Sequence, residues 1–226
     1  VLDVLAIKPA LVPHYLRSLS RDLLEAKPSS RCLQAYSFVS QLLREAPAVA
    51  GDTASLRSLP PAALLALVIP SALCKKELSK GVLSPDAELK SATIAMIVAA
   101  LERWGRLCAL TRESSDGRTE GVAQKGVVGA SHLLKSQLPD VQTLLSQRSK
   151  LEEAADQQSQ VMYGQLLGLL ECYQKYLPQA MEASRYDLLK LLPSNLAASP
   201  AAKQLPVLSL LHEAGKACGL RWLGSK

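Results

Sequence analysis

The chain has 226 residues, a net charge of +6 and 48% hydrophobic residues, yet only 4% aromatic residues with a single Phe. That length suffices to bury a substantial core, and a core of Leu, Ala and Val with few ring or β-branched residues favours packed helices over sheets. The basic charge is spread along the sequence rather than clustered, and five cysteines at 32, 74, 108, 172 and 218 show neither metal-ligand spacing nor a disulfide framework.

Taken in chain order, proline-led apolar segments recur. Helices are expected near 12–26, 29–46, 61–68 and 71–80, the last opening after Pro70 and closing at Gly81. AALLALVIPSALC is the longest apolar run, but Pro70 interrupts it and it is too short to cross a bilayer, so no membrane span is expected. Ser84-Pro85-Asp86 is the clearest helix start, with a hydroxyl cap, a proline and then an acid near the positive end of the helix dipole. Ile94, Ile97, Val98, Leu101, Trp104 and Cys108 follow at steps of three and four, one apolar stripe, with Lys90, Glu102, Arg103 and Arg106 expected mainly outside it.

Beyond that helix, TRESSDGRTEGVAQKG (Thr111–Gly126) reads as a flexible loop, being rich in Gly, Ser and charge. Further helices are expected near 129–136, 139–148, 151–177, 178–192 and 202–217, with Val161, Gln165, Leu166, Leu169, Leu170, Tyr173 and Leu177 on the buried face of the long one. The whole chain, 1–226, reads as one all-α helical-repeat segment of a longer protein. Its expected architecture is an α-solenoid of irregular armadillo/HEAT-like repeats, with a compact helical bundle as the alternative. The opening VLDVLAIKP lacks both Met and the basic lead of a signal peptide.

Little in the sequence carries catalysis. Cys74 precedes Lys75 and Lys76, but adjacent helical residues diverge, and no nearby His or Gly-rich turn would activate a thiolate. His14, His132 and His212 are far apart in sequence, and no phosphate loop or nucleophile elbow occurs, so neither a cofactor nor a metal is expected. The cations offer more. Lys75, Lys76, Lys80 and Lys90 would form one positive patch if their two helices pack antiparallel, and Arg103, Arg106 and Arg112 another. Phosphate contacts need only such point charges, and scarce aromatics argue against base readout.

Four segments in order resemble landmarks of a known family. They are the helix entry PSSR (Pro28–Arg31), the turn LSKGVLS (Leu78–Ser84), LPDVQTLLSQR (Leu138–Arg148) and LPQAMEASRYDLLKLLP (Leu177–Pro193). Together they resemble the nucleolar pre-ribosomal-associated protein family, in its large-subunit (60S) biogenesis N-terminal domain. Cys32 and Ala35, where bulkier residues are usual, and the Thr111–Gly126 segment depart from its pattern. The resemblance implies a non-catalytic helical scaffold in the nucleolus, acting in pre-rRNA processing and large-subunit assembly. The partners it implies are the pre-ribosomal particle with its pre-rRNA and small nucleolar RNPs, an RNA helicase and other large scaffold proteins. It transfers no site residues. The rival expectations are a helical-repeat adaptor that binds only proteins, as in transport or trafficking, and an enzyme centred on Cys74.

Overall fold

The computed structural model describes residues 2–47, 56, 58–113, 120–153, 156–191 and 201–218. Among them the secondary structure is entirely helical. Twelve α-helices are described: α1 Leu2–Ile7, α2 Val12–Ser18, α3 Arg21–Leu24, α4 Ser30–Glu45, α5 Pro61–Ala66, α6 Lys75–Leu83, α7 Ala87–Glu113, α8 Glu120–Gln137, α9 Val141–Glu153, α10 Gln157–Tyr176, α11 Pro178–Ser184 and α12 Ala201–Cys218. Short 3-10 turns occupy Pro9–Leu11 and Leu188–Leu191. The chain divides into two compact units, Val1–Pro139 and Asp140–Lys226.

In the first unit α7 is the central rod. Ser84 Oγ accepts from the Asp86 amide at 3.1 Å, and Asp86 Oδ1 accepts from the Leu89 amide at 2.8 Å. Asp86 rather than the expected Ser84 therefore caps the helix, satisfying a donor that has no intrahelical partner. Leu89, Ile94, Met96, Ile97, Ala100, Leu101, Trp104 and Leu107 are all buried. That set is wider than a single stripe because α4 and α6 both pack on α7. Each Leu, Ile or Met side chain of this set, taken fully out of water, contributes roughly 1.5–3 kcal/mol before chain entropy is subtracted.

The partner helix α4 starts with Ser29 Oγ accepting from the Cys32 amide at 3.3 Å, and buries Cys32, Tyr36, Val39, Leu42 and Leu43. Helix α6 approaches α7 through Gly81. A β-carbon there would stand 2.3 Å from Thr93 Oγ1, so only glycine permits this contact. Gly81 thus lies inside α6 as a packing residue, not beyond its end as a left-handed stop. A second close approach joins α5 to α8, where a β-carbon on Gly129 would meet Pro61 Cγ at 2.8 Å.

The second unit is organised around α10, against which α9, α11 and α12 pack. Asp156 Oδ1 accepts from the Ser159 amide at 2.8 Å and starts α10. Its buried face carries Met162, Tyr163, Leu166, Leu167, Leu169, Leu170 and Tyr173. Val161, expected on that face, is 55% exposed, because a helix beginning at Gln157 turns it outward. Arg185, at φ 51, ends α11 in the left-handed conformation.

Several expected boundaries shift. The 12–26 segment is broken by Leu19 and Ser20 into α2 and α3, and α1 was not anticipated. The expected loop at Thr111–Gly126 is helical over 111–113 and 120–126, while 114–119 lie outside the described residues. The expected 151–177 helix is two helices, α9 ending at Glu153 and α10 beginning at Gln157.

Candidate functional site

The start of α6 settles the environment of Cys74. Residues 70–74 form turns and extended chain, not the first turns of a helix, and Cys74 is the N-cap residue with φ −125° and ψ 162°. Its side chain makes no capping hydrogen bond. The helix then buries Glu77, Leu78, Gly81 and Val82 and leaves Lys76 and Lys80 exposed. Four positions apart, those two lysines share one helical face. Lys75 and Lys90 are only half-exposed, and each is engaged in a further interaction.

Arg103 and Arg106 do not belong to the same kind of surface. Arg103, expected outside the apolar stripe and counted among the RNA or partner contacts, is 1% exposed. Its guanidinium donates to the carbonyls of Leu67 (2.6 Å), Ala46 (2.7 Å), Pro47 (3.1 Å) and Leu43 (3.4 Å). Leu43 lies in the last turn of α4, Ala46 caps it and Pro47 follows, a helix end where carbonyls lack intrahelical donors and a cation complements the helix dipole. Burial, and then the neighbouring Arg106 charge, pull the Arg103 guanidinium down to about 10, still protonated at neutral pH. Arg106 is exposed, but its Nη2 donates to Leu43 O at 2.6 Å and Arg44 O at 3.3 Å. Both arginines join α7 to the end of α4, so Arg103 is corrected from a surface contact to a core residue. Arg112 remains exposed.

The lysine face of α6 acquires a neighbour that sequence reading missed. The turn after α3 is held by three contacts with distant residues. Tyr36 Oη donates to Leu24 O at 3.0 Å, Cys32 Sγ donates to Glu25 O at 3.3 Å, and the Ala26 amide donates to the buried Glu77 Oε2 at 3.0 Å. Burial raises the Tyr36 phenol far above its ordinary range, so it stays a donor. The third contact ties the turn to the first turn of α6. On its outer side Lys27 Nζ pairs with Glu25 Oε2 at 2.7 Å. That hydrogen-bonded ammonium holds the Glu25 carboxyl below its usual range, with smaller contributions from Lys80 and Arg21. No local pattern announces this arrangement, because Ala26 and Glu77 are far apart in the chain.

In the second unit the densest polar cluster surrounds Arg148. Its guanidinium pairs with Glu152, donates to Tyr186 Oη at 3.1 Å and lies over the Tyr163 ring at 6.0 Å from the centroid. Gln142 Nε2 donates to Ser184 O at 2.7 Å. Two of the sequence landmarks, LPDVQTLLSQR and SRYD, are therefore fastened to each other. The arrangement is that of a docked turn whose buried cation meets an acid, a phenol oxygen and one ring, while its Nε finds no hydrogen-bond partner.

Other candidate chemistry is sparse. His14, His132 and His212 are exposed on separate helices. Among the described residues no three His, Cys, Asp or Glu side chains group to hold a metal ion, and no helix is long and apolar enough to cross a membrane. Cys32, Cys74, Cys108 and Cys172 are thiols outside any disulfide, and burial pushes Cys108 up to about 11. Comparison with protein-family models, with curated proteins and with solved structures gave no match.

Proposed function

We propose that this chain is part of a non-catalytic nucleolar scaffold for early large-subunit assembly and pre-rRNA processing. In this reading its helices are irregular repeats of an α-solenoid that docks pre-ribosomal RNP, a helicase and other scaffold proteins. The four sequence landmarks support the family, and the all-helical fold is compatible with it. The stacking of α9, α10 and α12 on their near neighbours suits a repeat array, whereas the pairing of α4 with α7 and α5 with α8 departs from a regular one.

The observation that carries RNA contact is the pair Lys76 and Lys80, exposed on one face of a helix whose other side is buried. Two point charges of this kind engage phosphates without reading bases. A protein-only adaptor is the second reading. It is favoured by Arg103 and Arg106, which give their guanidinium donors to backbone carbonyls and so leave a smaller basic surface than the sequence suggests.

Changing Lys76 and Lys80 together to Glu tests the first reading, because both side chains are exposed and the helix should keep its stability. Sedimentation with pre-ribosomal particles should fall while melting is unchanged. Crosslinking in cells that recovers neither pre-rRNA nor small nucleolar RNA would refute RNA contact and leave the adaptor reading.

A further inference from the structure

We propose that Arg21, at the start of α3, and Lys27, in the turn after it, complete the RNA-phosphate surface of Lys76 and Lys80, and that Glu25 sits in that surface as a built-in competitor of the phosphodiester. The inference rests on the RNA reading above and deepens it. It begins with the fixed geometry of the turn: the carbonyls of Leu24 and Glu25 and the amide of Ala26 are each bound to residues outside the turn. Through Glu77 the turn is fastened to the first turn of α6, and Lys80 stands three residues further along that helix, on the adjacent turn. Arg21, Lys27, Lys76 and Lys80 are all exposed. Arg21 of α3, Lys27 of the turn and Lys80 of α6 thus gather around Glu25, and Lys76 shares the helical face of Lys80.

Within this group Glu25 is the carboxylate in direct contact with a cation, at 2.7 Å from Lys27. Lys80 and Arg21 also act on it electrostatically. A carboxylate and a phosphodiester are the same kind of acceptor for an ammonium group, each an anionic oxygen taking a charge-assisted hydrogen bond. An RNA backbone that reaches Lys27 must therefore displace Glu25. Side-chain exposures of 62% for Lys27 and 36% for Glu25 leave that pair open to solvent and to exchange. Such a pair is weak enough to be broken by a polyanion and strong enough to lower its affinity. Asp22, on α3, adds a second and more distant negative charge near Lys27.

The test is the binding of a fluorescent uridine homopolymer RNA to the chain across a salt series. Three chains are compared: unchanged, Glu25→Gln, and Lys76→Glu with Lys80→Glu. The Cys32 contact to residue 25 uses the backbone carbonyl, so Glu25→Gln leaves the turn tethered. It is expected to tighten binding about two- to fivefold, the equivalent of an exposed ion pair. It should also steepen the slope of log affinity against log salt by about 0.7, the single-strand increment for roughly one more neutralised phosphate. The double lysine change should weaken binding and flatten that slope.

If Glu25→Gln matches the unchanged chain in both readouts while the lysine changes abolish binding, the competitor role is wrong and the RNA surface stands. If the lysine changes leave RNA binding intact, the surface itself is misplaced and the reading beneath this inference fails. A polyglutamate probe that binds as tightly as RNA would overturn the commitment to phosphate and point to an acidic protein surface.

Discussion

Replacing Arg103 by Met should remove about 3 kcal/mol from the stability of the first unit. Met keeps much of the apolar stem and removes the donors, so the change isolates the hydrogen bonds. Four carbonyls receive the guanidinium, but Leu43 O also accepts from Arg106 at 2.6 Å and stays satisfied. Ala46 O loses its guanidinium donor in a buried setting, at a cost of roughly 1–3 kcal/mol. The contacts to Leu67 O and Pro47 O are partly buried, and water replaces them incompletely, adding about 0.5–1 kcal/mol each. Relief from the buried charge offsets part of this sum.

Against a typical total of about 5–15 kcal/mol, such a loss is large. Urea unfolding followed by circular dichroism would read it as a midpoint lowered by about 1–2 M, for a slope near 2 kcal/mol per M. Arg103→Lys should fall between, since an ammonium lacks the planar fork that spans several carbonyls. A midpoint for Arg103→Met within about 0.3 M of the unchanged chain would show that desolvating the charge costs as much as its hydrogen bonds return. Arg103 would then not be what stabilises the end of α4.

Two further outcomes follow from the packing. Gly81→Ala forces a methyl against Thr93 and should cost roughly 1–3 kcal/mol, and Thr93→Ala in the same chain should recover part of that loss; simple additivity in the melting of the double variant would refute the contact. Cys108, pushed up to about 11, holds only about one thiolate in several thousand at pH 7.5, so alkylation there should run about 100-fold or more slower than for a thiol of ordinary pKa near 8.5. The rate should climb tenfold per pH unit up to about 11, and fast labelling of Cys108 at neutral pH without denaturant would show that its surroundings do not hold the thiol protonated.

What could be read from residues alone were the elements whose signals are local. The stripe of Ile94, Ile97, Leu101 and Trp104 identified α7, Ser29 marked the entry of α4, and the Ser84–Asp86 stretch marked the turn between α6 and α7. The glycines misled. Gly81 resembled a helix terminator, Gly126 the end of a loop and Gly129 the start of a helix, whereas Gly81 and Gly129 lie inside helices and let them approach within the width of a methyl group. Such contacts depend on what lies opposite, which no local spacing encodes. Arg103 was misplaced for the same reason. An arginine between Glu102 and Trp104 has the look of a solvated position, and the carbonyls it serves arrive from 36 to 60 residues away. The lysines of α6 were visible as a cluster in sequence, but Arg21, Lys27 and Glu25 join them through long-range contacts such as the Ala26–Glu77 hydrogen bond.

The tethering of the 24–27 turn links the interior to the outside of the molecule. Tyr36 and Cys32 never reach solvent, yet they decide where a neighbouring ammonium group stands. Variation at these inward positions would thus be felt by whatever docks outside, with no change in any residue the partner touches. Selection on recognition would reach through the surface to a phenol and a thiol beneath it.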